Sequence, residues 1–344
     1  MSLEKYKTYF LDSILDLLWT QWSGLGVSGY GEARKRYVTD PEALLVFSCS
    51  MCRYDARLFD EILDWLTKNE RFISIQRLRA VLSKENFSSG DILGAVAAHM
   101  AQKNPTQKWR RLADAQKRQL AADTDCHNLF FLKNGNEMPL ANEEDLIFRK
   151  YGYLRPPVKN RERSIAFPPG TPETLLLQIR SLLGIGARSE TLLYLFLNGK
   201  GSISEIASGT YYSWRSIQDV LFEMGHSGLL YFPEAKRGRF YRFDGKPWLD
   251  ILLKNSDKKI EWLCWPPLFR SFELIWEKLN SNDFLSLSAL AQSAELRSLM
   301  REEIAPRLEH AGLGSMIAAS DSSNGEEYLE TFCKNIDAII KYIS

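Results

Sequence analysis

The sequence predicts a mainly α-helical protein with more than one domain, and three observations support that fold class. The chain has 344 residues, and a single hydrophobic core usually stops growing before this length. Apolar residues recur at helical spacing along most of the chain, whereas strand-like alternation is clear only in residues 229–243. A proline-rich segment, residues 151–173, separates two helical halves.

The composition is that of an ordinary globular protein, with 45% hydrophobic and 25% charged residues. The formal net charge is +1, so contact with nucleic acid would have to come from local basic patches. Neither a membrane-spanning apolar run nor an apolar signal core at the N-terminus is present, which predicts a cytoplasmic protein with no membrane partner. The five cysteines are dispersed and odd in number, which favours reduced thiols.

Residues 1–150 predict a helical N-terminal domain. Apolar residues within 6–22 recur every three or four positions and indicate an amphipathic helix. Asp40 and Asp55 are typical of helix starts, because a short acidic side chain accepts hydrogen bonds from free backbone N–H groups. Further helical patterns follow at residues 74–82 and 91–102.

The proline-rich segment, residues 151–173, is predicted to be an extended, semi-rigid linker between domains. Between Arg155 and Arg163 it carries four basic residues and one acidic residue. A solvated linker is one interpretation of this charge run, and a strand of chain lying along a phosphate backbone is the other.

Residues 174–246 contain three helical stretches whose apolar positions predict one shared core. Ser202 and Ser213 stand immediately before the second and third helices, where their hydroxyl oxygens can cap free N–H groups. After the third helix, residues 229–232 are expected to pair with residues 239–243 as a β-hairpin. The predicted core positions are Leu192, Leu193, Phe196, Ile203, Ile206, Ala207, Ile217, Val220, Leu221 and Met224.

This order of elements, with Ile206, Ala207, Ile217 and Val220 at the matching apolar positions, resembles the winged-helix transcriptional regulators of bacteria of the MarR-like and ArsR-like kind. The resemblance covers residues 187–243. It implies that the third helix lies in the major groove of DNA and that the hairpin, or wing, contacts the adjacent backbone or minor groove. Tyr211 stands where the plain helix-turn-helix pattern has glycine, which predicts a longer or differently shaped turn.

The candidate DNA-binding residues lie on the third helix and the wing. Serine and glutamine can bond phosphates or base edges, and arginine can bond guanine. Asp219 and Glu223 oppose Arg215 on the helix, whereas the wing is clearly basic. The candidates are Tyr212, Ser213, Trp214, Arg215, Gln218, Lys236, Arg237, Arg239 and Arg242.

The resulting function hypothesis is sequence-specific binding of double-stranded DNA, as in transcriptional regulation. A homodimer is expected from the two-fold symmetry common among such regulators, with residues 174–183 and 326–343 as the candidate dimer helices. The alternative is a protein–protein adaptor, in which the winged helix docks on a partner or on the N-terminal domain without DNA.

Residues 247–344 predict a helical C-terminal domain of three helices, the second of them interrupted. Four tryptophans precede or lie within it, and they either join the wing region to this domain or frame a pocket for an apolar effector. These are Trp248, Trp262, Trp265 and Trp276.

Sequence motifs typical of enzymes occur, but the neighbouring predicted structure is not the one that their chemistry requires. Residues 24–29 match G-x-G-x-x-G, but they follow a predicted helix instead of a strand. Cys49 and Cys52, with Cys126 and His127, are weak candidates for a metal site, because the first pair lies in an apolar run where small buried cysteines are common. The four histidines form no catalytic pattern. We therefore expect neither enzymatic activity, nor a cofactor, nor a bound metal.

Overall fold

A computed structural model describes residues 3–29, 36–104, 107–118, 125–140, 143–230, 240–253, 260–317 and 325–344. Over this part of the chain the protein is mainly α-helical, as predicted, and its strands are each two residues long.

The N-terminal part consists of seven helices among the described residues. The sequence-predicted caps are confirmed, since Asp40 accepts a hydrogen bond from the Ala43 N–H and Asp55 from that of Leu58. Strands β1 (His127–Asn128) and β2 (Tyr153–Leu154) pair in parallel. The helices are α1 (Leu3–Gly24), α2 (Pro41–Met51), α3 (Ala56–Asn69), α4 (Ile75–Glu85), α5 (Gly90–Lys103), α6 (Gln107–Lys117) and α7 (Leu146–Arg149).

The middle of the chain forms a smaller unit, in which strand β3 (Lys200–Gly201) pairs antiparallel with β4 (Tyr241–Arg242). Residues 229–232 were predicted to pair with residues 239–243, but residues 231–239 lie outside the described part of the chain, and within it Tyr241–Arg242 pairs with β3. The helices here are α8 (Leu175–Leu183), α9 (Ala187–Asn198), α10 (Ile203–Thr210), α11 (Trp214–His226) and α12 (Lys246–Leu252).

The C-terminal part contains the three predicted helical regions, and the second is interrupted as predicted. Residues Met300–Ile304 form a π-helical turn before Pro306, because proline has no N–H to continue the α-helical bonding pattern. The helices are α13 (Trp265–Leu279), α14 (Asn282–Leu285), α15 (Ala289–Leu299), α16 (Ala305–Ala311) and α17 (Glu327–Ile343).

Two hydrophobic cores organise these elements, and they differ from the predicted domain boundaries. Helices α1–α7 and α13–α17 share one core, so residues 1–150 and 247–344 are not separate domains. Phe47 stacks on Phe269 with ring centroids 4.8 Å apart, which joins α2 to α13. The second core is formed by buried residues between 175 and 253, together with Val38. We call the first the helical body and the second the central unit. Helical periodicity shows that a face is apolar, but not which distant helix covers it.

The proline-rich segment is packed on α3 and is not a solvated linker. Arg155 is 1% exposed and its Nη2 lies 2.5 Å from an Asp60 oxygen. The Ser164 N–H donates to Asp64 at 2.9 Å, and Arg161 pairs with Glu61 at 3.1 Å. Asp60 and Glu61 of α3 thus pair with Arg155 and Arg161, two of the four basic residues considered for phosphate contact.

Candidate nucleic-acid interface

Helix α11 is positioned by caps that the sequence predicted. Ser213 accepts a hydrogen bond from the Ser216 N–H at 3.1 Å, which starts α11 at Trp214. Ser202 and Glu205 form a reciprocal capping box at the start of α10. These bonds fix the residues at which α10 and α11 begin.

The inner face of α11 packs into the core of the central unit. Ile217, Leu221 and Met224 are buried there together with residues of α9 and α10. Val220 and Ile203, predicted as core positions, are only partly buried. The orientation of α11 therefore follows from its apolar positions, and the opposite face must point away from this core.

The outer face of α11 is exposed and carries most of the predicted DNA-binding residues of this helix. Ser213, Arg215 and Gln218 are exposed, and Trp214 retains half of its accessible surface, 50%. Phe222 is also exposed and its ring contacts His226. Nothing in the described part of the chain covers this face.

Tyr212 is the exception among the predicted helix residues, and its assignment to DNA was wrong. Its side chain is buried, and its hydroxyl lies 3.0 Å from the Ser74 hydroxyl at the start of α4. Burial raises its pKa to about 12. The ring points into the junction with the helical body because the turn before α11 docks there.

The predicted wing residues are only partly described. Arg242 is exposed on β4, where its backbone pairs with Lys200 of β3. Lys236, Arg237 and Arg239 lie outside the described residues.

Tyr211 occupies the position in the turn where the helix-turn-helix pattern has glycine. It adopts the left-handed conformation, with φ of 66°, which costs a non-glycine residue about 1 kcal/mol. Its ring is buried in the core of the helical body, and its hydroxyl donates to Glu85 of α4. The side chain thus anchors the turn to α4, a contact that glycine could not make.

A buried charge cluster, which was not predicted from the sequence, joins the central unit to the helical body. We call it the junction cluster, and every member is at least nine-tenths buried. Its signal in the sequence was the presence of charged residues inside the apolar runs of α8 and α9. The members are Asp40, Glu42, Arg77, Arg180 and Glu190.

The two guanidinium groups of the junction cluster bridge both cores. Arg77 binds both oxygens of Asp40 at 2.5 Å and donates to the Thr210 carbonyl of the central unit at 2.9 Å. Arg180, from the central unit, binds Glu42 of α2 at 2.7 Å and 2.9 Å and also pairs with Glu190. A guanidinium group that binds two oxygens at once has a fixed geometry, so these bonds set the orientation of the central unit on the helical body.

The junction cluster contains three carboxylates and two guanidinium groups. The pKa values of two of the carboxylates, Glu190 and Asp40, are shifted in opposite directions. Burial raises the pKa of Glu190, and the nearby Arg180 offsets this only in part. Burial also acts on Asp40, but there the Arg77 guanidinium outweighs it and the pKa is lowered. Of these two carboxylates, Glu190 is therefore the one whose charged form is less favourable.

The tryptophans at this junction join the two cores and do not frame an effector pocket. Trp265 is buried and its indole N–H donates to the Val38 carbonyl at 2.7 Å. Trp262 packs edge-on against Tyr194 of α9. The cavity that these two tryptophans line has a volume of about 20 Å³, which is room for one water molecule.

The helices proposed for a dimer interface pack against other parts of the same chain. In α8 the residues from Leu175 to Arg180 are buried, and the apolar stripe of α17 from Tyr328 to Ile343 is buried in the helical body. Intramolecular contacts thus cover much of both apolar faces, while Leu182 and Leu183 at the end of α8 stay exposed.

The G-x-G-x-x-G stretch, residues 24–29, begins at the last residue of α1, and the Gly26 carbonyl accepts a hydrogen bond from the Ile165 N–H. Cys49 and Cys52 are buried, which raises the pKa of both thiols, while Cys126 is exposed and His127 lies on β1. Among the described residues, no group of three or more His, Cys, Asp and Glu side chains could hold a metal ion.

Comparison of the chain with protein-family models, with curated proteins and with solved structures gave no match. None of the helices described above has the length and apolar character needed to cross a membrane.

Proposed function

We propose that the protein binds double-stranded DNA through the outer face of α11 and acts as a transcriptional regulator. The observation that carries the proposal is the asymmetry of the central unit. One side is held on the helical body by Tyr211, Tyr212 and the junction cluster, whereas the outer face of α11 is uncovered in the described structure.

The order of elements supports the same proposal. A helix, a short strand, two helices and a returning strand succeed one another in α9, β3, α10, α11 and β4, with β3 antiparallel to β4. Winged helices use this order, and the helix corresponding to α11 enters the major groove with its N-terminal residues at the base edges. Arg215 and Gln218 lie in the first two turns of α11, where such contacts are made.

The chemistry of the outer face fits base and phosphate contacts. Arg215 can donate two hydrogen bonds to guanine, and Gln218 can bond adenine. Lys236, Arg237 and Arg239 of the wing, with Arg242, supply positive charge for the adjacent backbone.

A second candidate function, docking of a protein partner on this same face, is favoured by two exposed rings. Trp214 is 50% exposed and Phe222 65%, and aromatic residues are enriched at the centres of protein interfaces. Asp219 and Glu223 also reduce the positive charge of the helix.

The test is selection of bound duplexes from a random pool, followed by titration of the selected duplex at several salt concentrations. We expect Arg215→Ala with Gln218→Ala to weaken binding of the selected sequence at least tenfold, since good base contacts each contribute about 1–3 kcal/mol. Arg237→Ala with Arg239→Ala should lower the salt slope by about 2 without changing sequence preference.

Arg301→Ala is the matched control, because its side chain is 77% exposed on the π-helical turn of the helical body. Failure to enrich any duplex, or equal binding by the α11 double variant and Arg301→Ala, would replace this proposal with the protein-docking candidate.

A further inference from the structure

We propose that a basic groove between α4 and α6 of the helical body binds the phosphate backbone of DNA beyond the segment that α11 contacts. The inference rests on the proposed DNA binding and extends it to a second surface. The groove has a volume of about 1090 Å³ and is open to solvent along the exposed sides of both helices.

Charge is the first observation. The residues lining the groove include four basic side chains, Arg79, Lys84, Lys108 and Arg111, and one acidic side chain, Asp91. The Asp91 carboxylate already accepts hydrogen bonds from the Tyr153 hydroxyl and the Ile92 N–H. The groove is thus a local basic patch in a chain whose formal net charge is only +1, and such a patch can attract an anionic polymer.

The availability of these charges is the second observation. Within the described part of the chain, no carboxylate pairs with Arg79 or Lys84, and both are exposed. Arg111 is exposed and donates only to the neutral Gln107 amide at 3.2 Å. Lys108 differs, since it pairs with Glu70 at 2.9 Å. Three of the four cations therefore have no carboxylate partner among the described residues, although the Lys84 ammonium lies 5.5 Å from the centre of the Tyr211 ring, and each can neutralise one phosphate.

Neutral hydrogen-bonding groups accompany the cations. Gln76 and Ser83 stand on α4 on either side of Arg79, and Asn86 and Ser88 line the end of the groove. The N-terminus of α5 opens there as well, and the Ser89 hydroxyl donates to the Val46 carbonyl instead of capping that helix. Hydroxyl, amide and free backbone N–H groups are the usual partners of DNA phosphates.

Position relates the groove to α11. The groove begins at Ile75 and Gln76 in the first turn of α4. The preceding residue, Ser74, is bonded to Tyr212, which stands two positions before Trp214 of α11. One buried hydrogen bond thus joins the turn before α11 to the residue before α4, and the proposed path of a duplex runs from α11 towards α4.

The experiment compares a short duplex, limited to the sequence selected through α11, with a duplex extended by about one helical turn on each side. We expect Arg79→Ala/Lys84→Ala/Arg111→Ala to leave the short duplex unaffected. For the extended duplex the variant should reduce the salt slope by about 3 and the affinity on the order of 100-fold at 0.1 M salt.

The control removes the same charge elsewhere, in Lys5→Ala/Arg301→Ala/Lys334→Ala, where all three side chains are exposed on the helical body. Equal thermal unfolding temperatures of the two triple variants show that folding is intact. If the control and the groove variant bind the extended duplex equally well, the groove inference is overturned.

The two proposals fail in different ways. Loss of binding on the extended duplex in the groove variant, without any effect of Arg215→Ala/Gln218→Ala on either duplex, would support the groove and contradict α11 as the reading helix. If binding of the short duplex depends on Arg215 and Gln218 and the groove variant binds the extended duplex normally, the result would support α11 as the reading helix and contradict the groove. No binding of either duplex, or preference of the groove for an acidic peptide such as polyglutamate, overturns the groove inference.

Discussion

The two sides of the central unit differ in how their charged residues are used. On the inner side, Arg77 and Arg180 are buried, and each binds carboxylates and a backbone carbonyl of the neighbouring unit. On the outer side Arg188 pairs with Glu223 in an exposed contact, and Arg215 has no ion pair among the described residues. Buried pairs fix geometry at a cost in desolvation, whereas exposed charges remain available to a ligand. The difference indicates that the orientation of α11 is set from within the chain.

The largest expected effect comes from breaking the inner side. Arg180→Met should destabilise the protein by about 3–5 kcal/mol, because it leaves Glu42 and Glu190 buried without their shared partner. Arg188→Met is the matched control, since it removes an arginine–glutamate pair whose side chains are more than half exposed. Exposed pairs contribute about 0–1 kcal/mol. Urea unfolding of both variants measures the difference, and equal losses would contradict the structural role given to the junction cluster.

A smaller change in the free energy of unfolding is expected from the titration of Glu190 and Asp40 in the junction cluster. The pKa of Glu190 is raised above its ordinary value of 4.5, so its contribution to stability is present below that pH and is lost as pH rises through the folded-state pKa. Glu190→Gln should therefore gain stability relative to the wild type as pH increases from 4.5.

Asp40 gives the opposite sign and serves as the control. Its pKa is lowered from 3.8, so its contribution is present above that pH and is lost as pH falls through the folded-state value. Asp40→Asn should lose stability most at neutral pH and approach the wild type in acid. Free energies of unfolding measured from about pH 2 to about pH 7 cover both transitions and separate the two trends, and parallel curves for both variants would show that Arg77 and Arg180 do not distinguish these carboxylates.

Local chemistry was predictable from the sequence, and long-range pairing was not. Asp40, Asp55, Ser202 and Ser213 were identified as caps because the cap and its N–H partner lie within three residues of each other. The apolar positions of α11 followed from helical periodicity in the same way. By contrast, Arg180 lies 138 residues from Glu42, and Arg155 lies 95 from Asp60.

Errors in the predicted site have the same origin. Tyr212 was assigned to DNA because it precedes α11, yet its partner Ser74 is remote in sequence. The joint core of the N- and C-terminal helices and the packed proline-rich segment also depend on partners that periodicity cannot identify. Burial of a charged or aromatic residue becomes visible only when its partner is known.

The smallest expected effect on stability comes from the outer face itself. Trp214→Ala should change the free energy of unfolding by no more than about 0.5 kcal/mol, because the ring is half exposed and outside both cores. Tyr212→Phe, two positions earlier, should cost about 1 kcal/mol by removing the buried hydrogen bond to Ser74. Thermal and urea unfolding measure both. A loss above 2 kcal/mol for Trp214→Ala would mean that the ring supports the fold, and the outer face of α11 would then no longer be free for a ligand.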